Sequence, residues 1–238
     1  MLVINKDKIV VLGDIHGSFN VVSFFIKKYN LRNTLIIQVG DFGIGYPANL
    51  TRDSFELRYL SSELIKTNNI LCAIRGNHDN PSYFLETKEI FKNIFLIKDF
   101  EVIKTLKENI LCIGGAISID RKVNIVDFSY WKEEGVTYRE DLSEFKEITR
   151  VVTHTAPDFL PPYVFNQLVY YYINQDETLE LELNLERQLM SNMIKQVIEN
   201  NKDTLKSYYY GHFHYSETKF IDNICFKLLD VNELVDVI

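Results

Sequence analysis

The chain has 238 residues, 46% of them hydrophobic and 25% charged, the composition of a folded globular protein long enough to bury one full core. With 26 basic against 33 acidic residues the net charge is −7, which disfavours a broad electrostatic grip on long nucleic acid. A small phosphorylated substrate stays open, because bound cations can reverse the sign of the field locally.

In chain order, KIVVLGD (8–14) reads as a buried strand that stops at Gly13. Ser18 is placed to cap a helix over 19–29, with Val21, Val22, Phe25 and Ile26 on one face. TLIIQVGD (34–41) is a second strand, followed by the loop GIGYPANLT and a helix over 52–66 with Phe55, Leu57, Leu60, Leu64 and Ile65 apolar. NILCAIRG (69–76) is a third strand, and this β-α-β-α-β opening predicts an α/β fold with parallel strands buried on both faces. IFLIKDF, FEVIKTL and NILCIGG follow closely and are expected to pair antiparallel in part. A helix is expected over 138–149, a strand at 150–154, and a long helix from about 185 to 201, where Leu185, Leu189, Met193 and Val197 recur at i+4. The preceding TLELELN alternates like a strand, and its state stays open. SYYYGH and ICFKLLD close the chain as strands.

No repeat or Pro/Gly-rich linker divides the chain, so one domain over 1–238 is expected. The segment 158–184, with Tyr170, Tyr171 and Tyr172, fits a lid over a site as well as a set of core aromatics. The opening MLVINKDKIV lacks the apolar core of a signal peptide, and no run approaches the ~20 apolar residues of a membrane span. Cys72, Cys112 and Cys225 lie in apolar stretches and read as buried free thiols, so no membrane is expected and a cytoplasmic location is.

Three strands end in glycine-bearing polar turns, GDIHG, GDFG and GNHD, and two later ones end at VVTHTAP and YYYGHFH. All five histidines of the chain, His16, His78, His154, His212 and His214, lie in these turns. Any one of them reads equally as a hydrogen-bonded histidine after a strand, but five of five in the same kind of place, joined by Asp14, Asp41 and Asn77, do not. The carboxyl ends of parallel strands gather along one edge, so the turns can converge. Imidazole and carboxylate without thiolate suit Mn, Fe or Zn in mixed N/O coordination. On extended backbone, side chains at i and i+2 face one way, so Asp14 with His16, and His212 with His214, are each expected to share a pocket. The ligating side chains are too many for one ion and suit two, with one carboxylate shared.

As a set, Asp14-Ile15-His16, Gly40-Asp41, Gly76-Asn77-His78-Asp79, His154 and Gly211-His212-Phe213-His214 resemble, in order, the motifs of the calcineurin-like metallophosphoesterases. The resemblance implies a two-sheet mixed β-sandwich flanked by helices. It implies a first metal on Asp14, His16 and His214, a second on Asn77, His154 and His212, and Asp41 bridging them. The ions would be divalent or mixed-valence, Mn foremost, with Fe, Zn, Ni or Co as alternatives. A hydroxide between them would attack phosphorus, with His78 as the catalytic acid or charge stabiliser.

The second motif departs from that of the serine/threonine protein phosphatases, G-D-x-V-D-R-G. Here it reads GDFGIGY, with Ile44 in place of the acid that orients the catalytic histidine and Gly45 in place of a phosphate-binding arginine. The reading is therefore hydrolysis of a small or flexible phosphate ester, either a monoester or a nucleotide-type diester. A protein phosphatase, a nuclease of the same family and a non-catalytic scaffold are the alternatives. Arg121, in GGAISIDRK, is expected to clamp a phosphate oxygen, and Arg75 to form a structural ion pair. Asp79 fits a support for His78 or a turn residue before Pro81, and Trp131 fits a substrate wall or partial core burial.

Overall fold

Alternate residues of the short β-branched runs face opposite ways, and both faces are covered. On β2 (Lys8–Leu12) Val10 and Leu12 pack to one side while Val11 packs to the other. The same division holds on β3 (Thr34–Gln38), where Ile36 opposes Leu35 and Ile37, and on β4 (Ile70–Ala73), where Leu71 opposes Cys72. The computed structural model describes residues 1–6, 8–46 and 50–237, with 50–54 as backbone alone. The expected loop GIGYPANLT thus falls partly outside the described residues.

The remaining elements are β1 (Leu2–Val3), α1 (Asn20–Lys28), α2 (Leu50–Lys66), β5 (Lys88–Phe91), β6 (Ile94–Leu96), β7 (Glu101–Lys104) and β8 (Asn109–Ile113). They continue with β9 (Arg150–Thr153), α3 (Gln167–Ile173), α4 (Leu179–Asn200), β10 (Ser207–Tyr210), β11 (Glu217–Ile221), β12 (Ile224–Leu228) and β13 (Leu234–Asp236). One sheet runs β13-β2-β3-β4-β6-β5 and the other β1-β7-β8-β9-β10-β12-β11. In the first, β2, β3, β4 and β6 are parallel between antiparallel edge strands; in the second, β8, β9, β10 and β12 are parallel. Of the three runs expected to pair antiparallel in part, β7 and β8 do so, whereas β6 lies in the other sheet, parallel to β4 and antiparallel to β5, a strand the sequence had not marked.

Three apolar layers hold the sheets together. Val22 and Ile26 of α1 and Leu57, Leu60 and Leu64 of α2 cover the outer face of the first sheet. Val11, Ile37, Cys72, Cys112, Val152 and Tyr209 fill the space between the sheets. Met190, Met193, Ile194 and Val197 of α4 cover the second sheet's outer face, over Leu111, Val151 and Tyr208. The result is a mixed β-sandwich flanked by helices. Its three cysteines are free and buried, and no described helix is long and apolar enough to cross a membrane.

Several local expectations fail for identifiable reasons. Ser18 does not cap α1: its amide and carbonyl close turns with Ile15 and Val21, and the helix starts at Asn20 without a side-chain cap. Phe55 and Ile65 of α2 are exposed. No helix forms over 138–149, because side chains of α4 and its C-cap satisfy that segment's backbone instead. Gln196 accepts from the Leu142 amide, and Asn201 binds both the Ile148 amide and the Phe145 carbonyl. TLELELN joins α4, since Leu179 and Leu183 bury one helical face and Glu180 and Glu182 suit a first turn.

Candidate metal centre

The carboxyl ends of β2, β3 and β4 lie side by side, and those of β8, β9 and β10 meet them across the sandwich. The first turn hangs from the second: the His16 amide donates to the Asp41 carbonyl at 2.8 Å and Gly17 to Phe42 at 3.0 Å. These are not extended segments, as the pairing argument assumed. His16, Asp41, His212 and His214 sit at φ of 45, 56, 70 and 54°, in the left-handed region that costs a non-glycine residue about 1–3 kcal/mol. Crowding requires glycine beside them. A Cβ on Gly211 would lie 2.1 Å from Asp14 Oδ1, and one on Gly76 2.1 Å from Asp41 Oδ1.

The donors form two clusters that share one residue: Asp14, His16, Asp41 and His214 in the first, Asp41, His154 and His212 in the second. Asp14 and His16 belong to one cluster, whereas His212 and His214 divide between the two, although both line the same cavity. In the first cluster His214 Nε2 is 3.4 Å from Asp14 Oδ2 and 3.1 Å from His16 Nε2. In the second, His154 Nε2 is 3.3 Å from Asp41 Oδ1 and 3.1 Å from Asn77 Oδ1, so Asn77 joins it. Among the described residues Asp14 Oδ1 is buried without a hydrogen-bond partner, although Oδ2 accepts from the His212 amide. An orphaned carboxylate oxygen facing imidazoles fits a cation held there.

Burial opposes charge on His154, yet Asp41 and Asp14 outweigh it and raise this imidazole to about 9. Asp41 is held far below the carboxylate range, its own burial overcome by His154, His78 and His16. Burial and the charge of His154 depress His212. A carboxylate pair that gathers this much positive charge would accept divalent cations in place of protons.

His78 stands beside both clusters. Its ring meets His16 at 5.2 Å and Tyr46 at 5.3 Å, and its amide donates to Asp41 Oδ1 at 2.8 Å. Asp79 does not touch His78: its carboxylate accepts from the amides of Phe42, Gly43, Ile44 and Gly76, clamping the second turn to the third. Arg75 pairs with Asp99 at 3.0 Å, as expected, and also holds the carbonyls of 133–135.

That loop carries residues the sequence did not single out. Ser118 Oγ accepts from Asn77 Nδ2 at 3.0 Å and donates to Glu134 at 2.9 Å, which turns Asn77 Oδ1 toward His154. The available signal was GGAIS, another glycine-bearing turn at a strand end, but it contains no histidine. Burial pushes the Glu134 carboxyl up to about 8, although the Ser118 amide and hydroxyl both bind it. Glu134 therefore binds its proton more tightly in the folded chain than in the unfolded one, where its ordinary value is 4.5. Stability is unaffected by this group below pH 4.5 and falls as pH rises from there towards 8. Glu134→Gln removes the loss, so its melting temperature should match wild type near about pH 5 and exceed it most near about pH 8. A constant difference across that range would contradict the sign.

Arg121 is a correction. Its guanidinium pairs with Asp176 at 2.8 Å, with Glu182, and with Thr178 Oγ1 at 2.9 Å, bracing its loop against the start of α4 rather than clamping a phosphate. Trp131 is buried, one ring removed from His78 through Tyr46. The tyrosines of 158–184 are not core: Tyr170 and Tyr171 are exposed on α3, and Tyr172 lines a cavity shared with Asp41, Asn77, His212 and His214.

The family model for calcineurin-like phosphoesterases matches residues 7–216. No curated protein matches the chain. Among solved structures, a phosphopantetheinyl hydrolase of Mycobacterium tuberculosis is 13% identical, with 94% of this chain and 90% of that one covered and a TM-score of 0.46. A predicted phosphoesterase of Streptococcus pneumoniae is 14% identical, with 95% and 73% covered and a TM-score of 0.36. GAP50, the anchor in the inner membrane complex of Plasmodium, is 11% identical, with 94% and 71% covered and a TM-score of 0.45. Matched along most of its length by the family model, the chain belongs to the calcineurin-like phosphoesterases and is a metal-dependent hydrolase of phosphate esters.

Proposed function

We propose that the protein hydrolyses the phosphate ester of a small organic molecule, using two cations held side by side. The observation that carries this reading is the membership of Asp41 in both donor clusters. Asp14, His16 and His214 would hold one cation, Asn77, His154 and His212 the other, with Asp41 serving both. Manganese suits this N/O donor set, with iron, zinc, nickel or cobalt as alternatives. When bound, the pair would supply Lewis acidity toward phosphate oxygens and lower the pKa of water.

The chain's own contributions follow from its geometry. His154 Nδ1 is 2.9 Å from the Val39 carbonyl, which in the neutral ring fixes the hydrogen on Nδ1 and leaves the Nε2 lone pair facing Asp41. His78, outside both clusters, is free to give a proton to the departing oxygen. One P–O bond forms to the oxygen of water, which gives up a proton to solvent, the bond to the alcohol oxygen breaks, that oxygen takes the His78 proton, and His78 regains one from solvent. A protein phosphatase of the usual kind is disfavoured: at Gly45, φ is +70° and a Cβ would lie 2.8 Å from Asn80 Cβ, so the arginine of that motif has no room. The net charge of −7 speaks against a nuclease.

With Mn²⁺ the purified protein is expected to hydrolyse p-nitrophenyl phosphate or its bis ester, and EDTA to abolish the activity. Inertness toward both esters across Mn, Ni, Co and Zn would favour the non-catalytic scaffold instead.

A further inference from the structure

We infer that the substrate's leaving group is an apolar chain or ring without a second phosphate, seated between the metal ligands and α3. This rests on the phosphoesterase reading above and adds a substrate class to it. A cavity of about 550 Å³ shares Asp41, Asn77, His78, His212 and His214 with the centre and runs outward beneath residues 162–172. Val164, Phe165, Leu168, Tyr172 and Phe213 line it as well. None of the residues of α3, QLVYYYI, is buried, and Leu168 and Val164 are 57% and 77% exposed. So apolar a helix is costly to leave against water, and a site that binds an organic group is one place where such a face is retained. Continuity with the ligands argues for the occupant: an ester group on a phosphate held there would project into this space.

Charge points the same way. Arg187 is the one Lys or Arg among the described residues lining the cavity, and its guanidinium is already committed. Nε donates to the Ala156 carbonyl at 3.3 Å, Nη2 to Pro157 at 2.8 Å and to Leu160, and Nη1 to Pro162. Beyond the ligands, the acids on the wall are Asp120 and Glu186. A second phosphate would meet two carboxylates and one guanidinium whose N–H groups are already donated.

Primary n-alkyl monophosphates from ethyl to hexyl hold the leaving-group chemistry constant while adding methylenes. With the Mn²⁺-loaded full chain, kcat/KM is expected to rise about two- to fourfold per methylene, expressed in KM, and Leu168→Asp to flatten that slope. Hexane-1,6-diyl bisphosphate is expected to react at least about tenfold less efficiently than hexyl phosphate. p-Nitrophenyl phosphate separates the failures. If it is hydrolysed while the alkyl series is flat, or while the bisphosphate is preferred, this inference falls and the phosphoesterase reading stands. If both it and its bis ester are inert as well, both readings fall. A flat series together with a dimer that Leu168→Asp dissociates would assign the α3 face to a second copy and overturn the inference.

Discussion

Asp41→Asn is expected to lower kcat/KM on p-nitrophenyl phosphate by roughly three to five orders of magnitude, the largest effect of any single substitution in this chain. Asparagine tolerates the left-handed backbone of position 41, at φ 56°, better than other residues, so the turn survives. The main-chain carbonyl that receives the His16 amide is untouched, and the amide oxygen can still accept from His78. What disappears is the negative charge that both donor clusters share. On the two-cation proposal its removal would weaken both ions at once, whereas loss of His16 or His212 would weaken one. An activity loss below about tenfold, measured at saturating Mn²⁺, would mean that position 41 is peripheral.

His78→Ala should cut turnover by roughly two to four orders of magnitude while leaving bound metal nearly unchanged. Alanine keeps the amide that anchors Asp41, and the imidazole it removes packs edge-on against His16 and Tyr46. Proton donation matters more as the leaving oxygen becomes more basic, so the loss should be greater on an alkyl phosphate than on p-nitrophenyl phosphate. Equal losses on the two would point to charge stabilisation alone. Loss of metal from the variant would move His78 from the reaction into the ligand set.

The central strands were legible because their pattern is local: runs such as LII and IVV, buried on both faces, admit few other readings. The ligand residues were legible for a different reason, the confinement of every histidine to strand-end turns. What the residues did not carry is whatever depends on distant partners. Arg121 looked free because Asp176 and Glu182, which hold it, lie 55 and 61 positions away. The helical pattern of 138–149 yielded to Gln196 on α4 and Asn201 just past its end. Asp14 and His16 come together in one cluster, while His212 and His214, on left-handed backbone, line one cavity but join different clusters. Ser118 and Glu134, which orient Asn77, stand 41 and more residues from it in sequence and bear no motif.

The most direct measurement is anomalous diffraction from crystals of the wild-type chain grown with Mn²⁺. The account predicts two peaks, one at coordination distance from Asp14, His16 and His214, the other from Asn77, His154 and His212, with Asp41 reaching both. A single fully occupied peak, or a pair of which one lies outside Asp41's reach, would contradict it.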